Sequence, residues 1–109
     1  MNSSDYQRCI SACLDCVIAC EACIAGCLKE KDVQMMTDCI RLDRDCADVC
    51  MTAAGWMARD SDYVRDICKL CAKICRDCAK ECGKHDVAHC RKCAQACTAC
   101  AEECEKMFA

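Results

Sequence analysis

Residues 9–27 read CISACLDCVIACEACIAGC, a stretch in which six of nineteen positions are cysteine. The thiols stand at alternating gaps of four and three residues: Cys9, Cys13, Cys16, Cys20, Cys23 and Cys27. This is the spacing of the apolar stripe that an α-helix buries. A β-strand would need an alternation of period two, which the stretch lacks. The pattern therefore predicts a helix whose buried stripe is made of thiols.

Three later segments repeat this spacing. The third predicted helix carries five thiols, with Val64 in the place of a sixth: Cys68, Cys71, Cys75, Cys78 and Cys82. The fourth carries five more, with Met107 next in register: Cys90, Cys93, Cys97, Cys100 and Cys104. The second is sparser and shares its register with other residues: Cys39, Cys46 and Cys50, with Met36, Asp43, Ala53 and Met57. Four thiol-lined helices therefore account for all nineteen cysteines.

The chain also repeats itself. An offset of 55 residues superimposes five cysteines of the first helix on those of the third, and beyond the loop an offset of 54 places Cys39 on Cys93. Helices joined by short connections run antiparallel. The sequence thus predicts an all-α fold, an antiparallel up-down four-helix bundle with cysteines lining the core. It is expected to be one domain over residues 1–109, built as a duplicated αα-hairpin with hairpins at about 4–58 and 61–108.

The predicted connections carry residues that commonly begin or end helices. Asp32 and Asp86 occupy matching places in the two hairpins, and each is a candidate N-cap. Asp60 or Ser61 is the corresponding candidate for the third helix. Gly83 suits the position just after that helix, where glycine is the preferred residue. These residues are expected to separate the helices.

Composition argues against several classes of protein. The chain has 109 residues, a formal net charge of −3 and no basic run, so nothing indicates binding to nucleic acid. Its first residues have neither the charged nor the apolar region of a secretory signal, and no stretch looks apolar for long enough to span a membrane. The sequence therefore predicts a cytoplasmic protein with no nucleic-acid or membrane partner.

The cysteine count argues against a disulfide framework. An odd number of thiols in a reducing compartment does not suit complete pairing. Disulfide scaffolds are usually rich in loops, whereas this chain has no proline and three glycines. Thiols on one face of a helix also have poor geometry for S–S bonding. Free thiols are expected.

Core packing alone is a weak explanation for so many thiols. Cysteine in place of leucine forgoes roughly 1–2 kcal/mol of burial at each position. Over most of four helix stripes, that loss rivals the whole stability of a typical domain, about 5–15 kcal/mol. Thiolates are, however, the preferred ligands of soft metal ions. The inward cysteines are therefore candidate metal ligands.

Cu(I), with several ions per chain, is the favoured metal because it accepts two or three sulfurs and one thiolate can bridge two ions. Zn(II) is the alternative, although its structural sites use four ligands that usually stand on loops and turns. An Fe–S protein would need adjoining CxxC steps, and a thioredoxin-like redox protein a βαβ pattern. Neither occurs. The sequence shows no pairing of a nucleophile with a base that would indicate an enzyme.

Four helices with inward thiols in CxxxC and CxxC steps resemble the bacterial copper storage proteins, in particular their cytosolic branch. The likeness covers nearly the whole chain. It implies a homotetramer of bundles that holds many Cu(I) ions in each core and serves copper buffering and supply rather than catalysis. It makes all nineteen cysteines candidate ligands. It also implies that His, Met or Asp side chains supplement the thiols near one end.

An up-down bundle sorts the remaining residues by end. One end collects every aromatic residue, which either simply packs the core end or also closes it to water and metal: Tyr6, Trp56, Tyr63 and Phe108. The other collects exchangeable ligand types beside thiols: Cys27, Met35, Met36, Cys82, His85, His89 and Cys90. Met36 and His89 are the stronger candidates for metal ligands and His85 a weaker one. Core packing and solvation are the alternatives.

Asp43 is the unusual residue in the inward register of the second helix. A buried carboxylate needs a partner. Two interpretations remain open. Either Asp43 meets a metal ion or another cation, or the helix rotates so that Leu42 points inward instead.

A separate aliphatic stripe flanks the thiols of the first and third helices: Ile10, Leu14, Val17, Ile24 and Leu28, with Ile67, Leu70 and Ile74. These side chains either fill gaps between neighbouring helices or form an interface between copies of the chain. We expect a homo-oligomer, and the resemblance implies a tetramer. Copper donors and acceptors are not identifiable from the sequence.

Overall fold

Four helices make up the bundle in the computed structural model, which describes residues 6–109. They are α1 (Gln7–Leu28), α2 (Thr37–Ala58), α3 (Val64–Cys82) and α4 (Ala88–Lys106), and the described residues include no strand. Each helix packs against the next along the chain, and α1 packs against α4 to close the ring. The bundle is 46 Å long and about 20 Å across. The predicted all-α fold is confirmed.

The two hairpins differ in their connections. A short 3₁₀ helix, Val33–Met36, stands between α1 and α2, whereas residues 83–87 join α3 to α4 without one. The offset of 54 residues therefore matches this 3₁₀ turn with the start of α4. Met36 at its end is buried, at the place that Cys90 occupies in the second hairpin. The predicted beginning of the first hairpin near residue 4 lies outside the described residues.

The predicted helix caps were partly wrong. The residue that precedes α4 is Val87, in extended conformation, rather than Asp86, which instead pairs with Arg91. Asp32 does precede the 3₁₀ helix, but its side chain makes no capping hydrogen bond. Gly83 follows α3 with a φ of −64°, so it does not use the left-handed conformation open to glycine. The chain turns here through backbone hydrogen bonds instead.

The connection between α2 and α3, residues 59–63, is as short as that between α3 and α4. Asp60 adopts a left-handed conformation, with a φ of 55°, and this reverses the chain after α2. The hydroxyl oxygen of Ser61 accepts a hydrogen bond from the backbone N–H of Tyr63 at 3.1 Å, one residue before α3 begins. Ser61 thus stabilises the turn rather than the first helical N–H groups.

Sulfur fills the core. All nineteen cysteine side chains have no exposed surface, and all are free thiols. Larger apolar side chains other than cysteine are few among the buried residues; Val64 and Met57 lie toward the aromatic end and Met36 at the opposite end. At the aromatic end Tyr6 is buried, and the rings of Trp56 and Tyr63 meet edge to face with centroids 6.3 Å apart. The aromatic residues therefore do pack one end of the bundle.

The inward register of α2 passes through Asp43. Its side chain is fully buried, whereas Leu42 is only half-buried at the flank of the helix. The rotation that would have turned Leu42 inward does not occur. A carboxyl group therefore lies within a column of thiols, and α2 contributes fewer sulfur atoms than the other helices.

Helix α1 is more apolar than predicted. By length and composition alone it could cross a membrane, with a mean hydropathy of 1.8, so the statement that no stretch is apolar enough was wrong. Cysteine and alanine account for much of this value, and the core helix of a soluble protein passes the same test. The six thiols of α1 all point into the bundle. What remains apolar outside is a narrow face that includes Leu14 and Ile18.

Met57 offers a test of this packing, because it is the largest fully buried side chain in the described residues. Met57→Ala should lower the free energy of unfolding of the copper-free protein by about 2–5 kcal/mol, because it leaves a cavity beneath the aromatic end. Urea denaturation under reducing conditions measures this. The matched control is Met51→Ala on the same helix, where 53% of the side chain is exposed, and a change within about 0.5 kcal/mol is expected. Equal losses in both variants would contradict the placement of Met57.

Candidate metal centre

A continuous column of thiols runs along the bundle axis. In its central layer each helix contributes one sulfur: Cys16, Cys46, Cys75 and Cys97. The Sγ atom of Cys46 lies 3.6 Å from that of Cys16 and 3.5 Å from that of Cys75, and Cys16 lies 3.6 Å from Cys97. These distances place sulfur from four separate helices within reach of one metal ion.

The sulfur atoms group into overlapping sets of four. In each set all Sγ atoms lie within 4.8 Å of one another: Cys13, Cys71, Cys100 and Cys104; Cys16, Cys46, Cys50 and Cys75; Cys16, Cys20, Cys46 and Cys97; Cys20, Cys78, Cys93 and Cys97; Cys23, Cys27, Cys39 and Cys90. Four of these thiols belong to two of the sets. Because neighbouring sets share sulfurs, the column is one extended ligand array rather than a row of separate sites.

The remaining thiols join the array near its ends. Cys39 and Cys82 form the closest pair toward the histidine end, with their Sγ atoms 3.1 Å apart. Cys9 and Cys104 lie 3.5 Å apart at the aromatic end, and Cys68 there contacts the Met57 sulfur at 3.9 Å. All nineteen cysteines predicted as ligands thus lie in the column or at its end.

Asp43 lies within this column, one layer toward the histidine end from its centre. Its Oδ1 atom accepts hydrogen bonds from three thiols, at 3.1 Å from Cys93, 3.2 Å from Cys78 and 3.4 Å from Cys82. Burial, which disfavours the charged carboxylate, is the main cause that raises the pKa of Asp43 from 3.8 to about 10. The carboxyl group of Asp43 therefore has sulfur partners, and it is protonated at neutral pH.

His89 stands at the opposite end from the aromatic residues, in the first turn of α4. Its Nδ1 atom lies 3.5 Å from the sulfurs of Cys23 and Cys90 and 3.9 Å from that of Cys27. Its Nε2 atom lies 3.0 Å from a carboxylate oxygen of Glu30. His89 therefore presents one nitrogen to the end of the thiol column.

The other candidates at this end differ in placement. Met36 is buried against the core, whereas the Met35 side chain is largely exposed. His85 pairs with Glu81, its Nε2 atom 3.1 Å from a carboxylate oxygen. Among the hydrogen bonds of the described residues, His89 contacts thiols and His85 does not. The weaker expectation for His85 matches this difference.

Burial controls the protonation of the thiols at this end. It raises the pKa of Cys90 to about 11, with a further contribution from the nearby Cys39, and it also raises that of Cys27. Both are thus protonated thiols at neutral pH. A metal ion that binds them must displace their protons.

Sequence reasoning missed Glu30 and Gly26. The sequence pattern predicts no role for either residue. A β-carbon on Gly26 would lie 2.6 Å from the ring carbons of His89, so this glycine leaves the space in which the ring lies against α1. Neither role has a signal in the sequence, because both depend on which helices are neighbours.

The pKa of Asp43 gives a prediction for stability. The unfolded chain loses the Asp43 proton near pH 3.8 and the folded protein keeps it to about pH 10, so the free energy of unfolding falls as the pH rises through this window. Asn has no such proton. In the copper-free protein, the free energy of unfolding of Asp43→Asn relative to that of wild type should therefore be at least about 1 kcal/mol higher at about pH 8 than at about pH 4.

Urea denaturation of the reduced protein at both pH values measures this difference. Asp45→Asn, an exposed carboxylate on the same helix, is the matched control and should show no comparable gain. A variant of Asp43 that differs from wild type equally at both pH values would show that the carboxyl group is not held protonated by folding.

Known proteins that are similar to this chain agree with the geometry of the thiol column. The family model for copper storage proteins matches residues 2–109. A cysteine-rich protein of Bacillus subtilis (strain 168), YhjQ, described as uncharacterized, is 50% identical over 83 residues, which are 76% of this chain and 77% of YhjQ. Sequence similarity thus extends along most of both chains.

Solved structures show the same fold. The Cu(I)-bound copper storage protein BsCsp3 is 50% identical, with a TM-score of 0.93 over 96% of this chain and 99% of that one. A cytosolic copper storage protein from Streptomyces lividans, in a structure with five coppers, is 40% identical, with a TM-score of 0.93 over 97% of this chain and 93% of that one. This chain, a four-helix bundle whose thiols point inward, belongs to the copper storage protein family, whose model matches nearly its whole length.

Proposed function

We propose that this protein binds, stores and buffers Cu(I) on the thiolates of its core. The observation that carries the proposal is the overlap of the sulfur sets, in which Cys16, Cys20, Cys46 and Cys97 each belong to two sets of four. The proposed ligands are the nineteen buried cysteines, supplemented by Met36, Asp43 and His89.

Shared thiols favour Cu(I) over Zn(II). Cu(I) is satisfied by two or three sulfurs, and a thiolate can bridge two ions, so an array of overlapping sets can be filled throughout. Zn(II) takes four ligands in a closed tetrahedral site. If each Zn(II) claimed four thiols, neighbouring sets with common members could not all be occupied. The array therefore holds more Cu(I) than Zn(II).

Proton release accompanies the binding of copper. Cys27 and Cys90 at the histidine end have raised pKa values in the copper-free protein, and each loses its proton when Cu(I) binds. The affinity for Cu(I) should therefore increase with pH. Metal that links all four helices should also stabilise the fold, because the unfolded chain cannot hold the thiols together.

The two ends of the bundle support opposite roles. The aromatic end is closed by Tyr6 and by the packed rings of Trp56 and Tyr63. The histidine end carries a partly exposed imidazole against thiols. Cu(I) is proposed to enter and leave at the histidine end, where imidazole is a weaker and more exchangeable ligand than thiolate.

Storage rather than catalysis is the proposed role. The nineteen thiols have no exposed surface, and the family is one of storage proteins. The relative from Streptomyces lividans is cytosolic, which supports a cytoplasmic location for this chain too. Copper there would be buffered within the bundle and supplied from it.

The exposed apolar residues support a homo-oligomer. On α1, 69% of Ile18 and 41% of Leu14 are exposed, and Leu70 on α3 is also half exposed. Ile10 and Val17 of the predicted stripe instead pack partly against the core, and Ile67 is buried. The covered members of the stripe fill gaps between helices, and its exposed members support the proposal of an interface between copies of the chain. A tetramer is proposed from the resemblance to copper storage proteins.

Metal titration tests the proposed function. Reduced protein is titrated anaerobically with Cu(I) against a strong chromogenic chelator, and the experiment is repeated with Zn(II). We expect on the order of ten or more tightly bound Cu(I) ions per chain, since bridging thiolates serve two ions each. About four tightly bound Zn(II) at most are expected, because each needs four ligands.

Two outcomes would overturn this proposal. Uptake of only two to four ions of either metal would exclude a storage role for the column. A capacity for Zn(II) equal to that for Cu(I) would favour a general soft-metal buffer instead.

Light scattering tests the oligomer. Wild-type protein is expected to have the mass of four 12.1 kDa chains. Ile18→Glu places a charge on the apolar face of α1 and should lower that mass, because a buried unpaired charge destabilises an interface. Met51→Glu, at an exposed apolar position on α2, is the matched control and should not. A wild-type mass of one chain would exclude the oligomer.

A further inference from the structure

Three residues outside the thiol column meet at its histidine end. His89 begins α4, Gly26 lies in the last turn of α1, and Glu30 follows α1 in the loop. The imidazole of His89 lies between them, with Nδ1 directed at the thiols and Nε2 directed at Glu30. Gly26 and Glu30 together hold the His89 ring in one orientation.

The chemistry of these contacts distinguishes the two ring nitrogens. A neutral imidazole carries a proton on one nitrogen and a lone pair on the other, and only the lone pair can bind a metal ion. An ionised carboxylate is solely an acceptor, so the Glu30 oxygen 3.0 Å from Nε2 requires a proton on Nε2. The lone pair then resides on Nδ1, which faces Cys23, Cys27 and Cys90.

We infer that Glu30 and Gly26 are positioning residues, which fix His89 in the Nε2–H tautomer and press its ring against α1 so that Nδ1 is presented to Cu(I) at the end of the thiol column. This inference rests on the proposed function for the identity of the metal ion. The orientation of the ring does not depend on it.

The loop holds Glu30 in place through its backbone. After α1 ends, the N–H of Lys29 donates to the carbonyl of Gly26 and the N–H of Glu30 to that of Cys27, both at 3.1 Å. The chain therefore folds back over the last turn of α1. The side chains of Glu30 and His89 are each partly covered, which shields their contact from bulk water.

Gly26 provides the space for the ring. An added β-carbon would meet Cγ and Cδ2 of His89 at 2.6 Å and Nε2 at 2.9 Å, closer than non-bonded atoms approach. Gly55 in α2 makes a useful contrast, because a β-carbon there would meet only Arg59, at 3.7 Å. Glycine is a poor helix former, and at residue 26 the structure supplies a steric reason for it.

The chain offers a matched pair of carboxylates for the test. Glu81 accepts from His85 at 3.1 Å at the same end of the bundle, much as Glu30 accepts from His89, and His85 has no thiol contact among the hydrogen bonds found. Glu30→Gln and Glu81→Gln therefore change the same group beside two different histidines. An amide can either donate or accept, so it no longer selects the tautomer.

The tautomer is measured by ¹⁵N NMR of the two imidazoles in copper-free, reduced protein at about pH 8.5, well above the ordinary His pKa of about 6.5. Wild-type His89 should be protonated almost wholly on Nε2. Glu30→Gln should give a mixture of tautomers at His89, whereas Glu81→Gln should leave His89 unchanged. A His89 that is protonated on Nδ1 in wild type, or is unaffected by Glu30→Gln, would overturn the inference.

Copper loading gives the second readout. Stopped-flow transfer of Cu(I) from a chelator should be about tenfold slower in Glu30→Gln, approaching the rate of His89→Ala, as expected when the partner of a metal-binding histidine is lost. Total capacity should be unchanged because the thiols remain. Equal slowing in Glu81→Gln would show a general effect of charge and overturn the assignment.

Gly26→Ala tests the steric half of the inference. It should displace the ring, alter the His89 ¹⁵N shifts and slow loading to a similar extent, while the control Gly55→Ala changes neither. Normal loading in Gly26→Ala would show that the ring tolerates the β-carbon. If wild type binds few Cu(I) ions, the proposed function fails, yet the tautomer in copper-free protein still decides the role of Glu30.

Discussion

The mutual proximity of buried thiols is the constraint on which the rest of the structure depends. Each helix turns sulfur inward at almost every layer, and sulfurs from four helices meet at 3.5–3.6 Å in the central one. Such a core gains less from hydrophobic burial than one of leucine would. Its composition is explained by what the thiols bind, and the copper-free bundle relies on the packed aromatic end and on the regular helices themselves.

Duplication explains both the regularity of the column and its exceptions. The second hairpin keeps thiols where the first has Met36 and Asp43, which correspond to Cys90 and Cys97 at an offset of 54 residues. Both substitutes are buried. Asp43 adds a neutral carboxyl group that accepts hydrogen bonds from three thiols. The array is therefore sulfur-only near its aromatic end and mixed toward the histidine end, where harder and weaker ligands favour exchange of the metal.

The same asymmetry gives the bundle a direction. Rings close one end, whereas at the other a histidine and its carboxylate partner lie at the border between solvent and sulfur. A store needs tight binding inside and a path for exchange at its surface. The proposed arrangement, with weak ligands at one end and thiolates behind them, satisfies both needs within a chain of 109 residues.

The sequence by itself determined the helical fold and the burial of the cysteines on the inward face of each helix, because a period of 3.5 residues between cysteines has one structural solution. Its local predictions were weaker: Val87 rather than Asp86 precedes α4, and Gly83 follows α3 as predicted but without the left-handed conformation open to glycine. Only the tertiary structure decided that Asp43 points inward, which thiols share neighbours, and that Gly26, Glu30 and His89 meet. Those features depend on distances between helices, and such distances are set by packing rather than by any pattern along one chain.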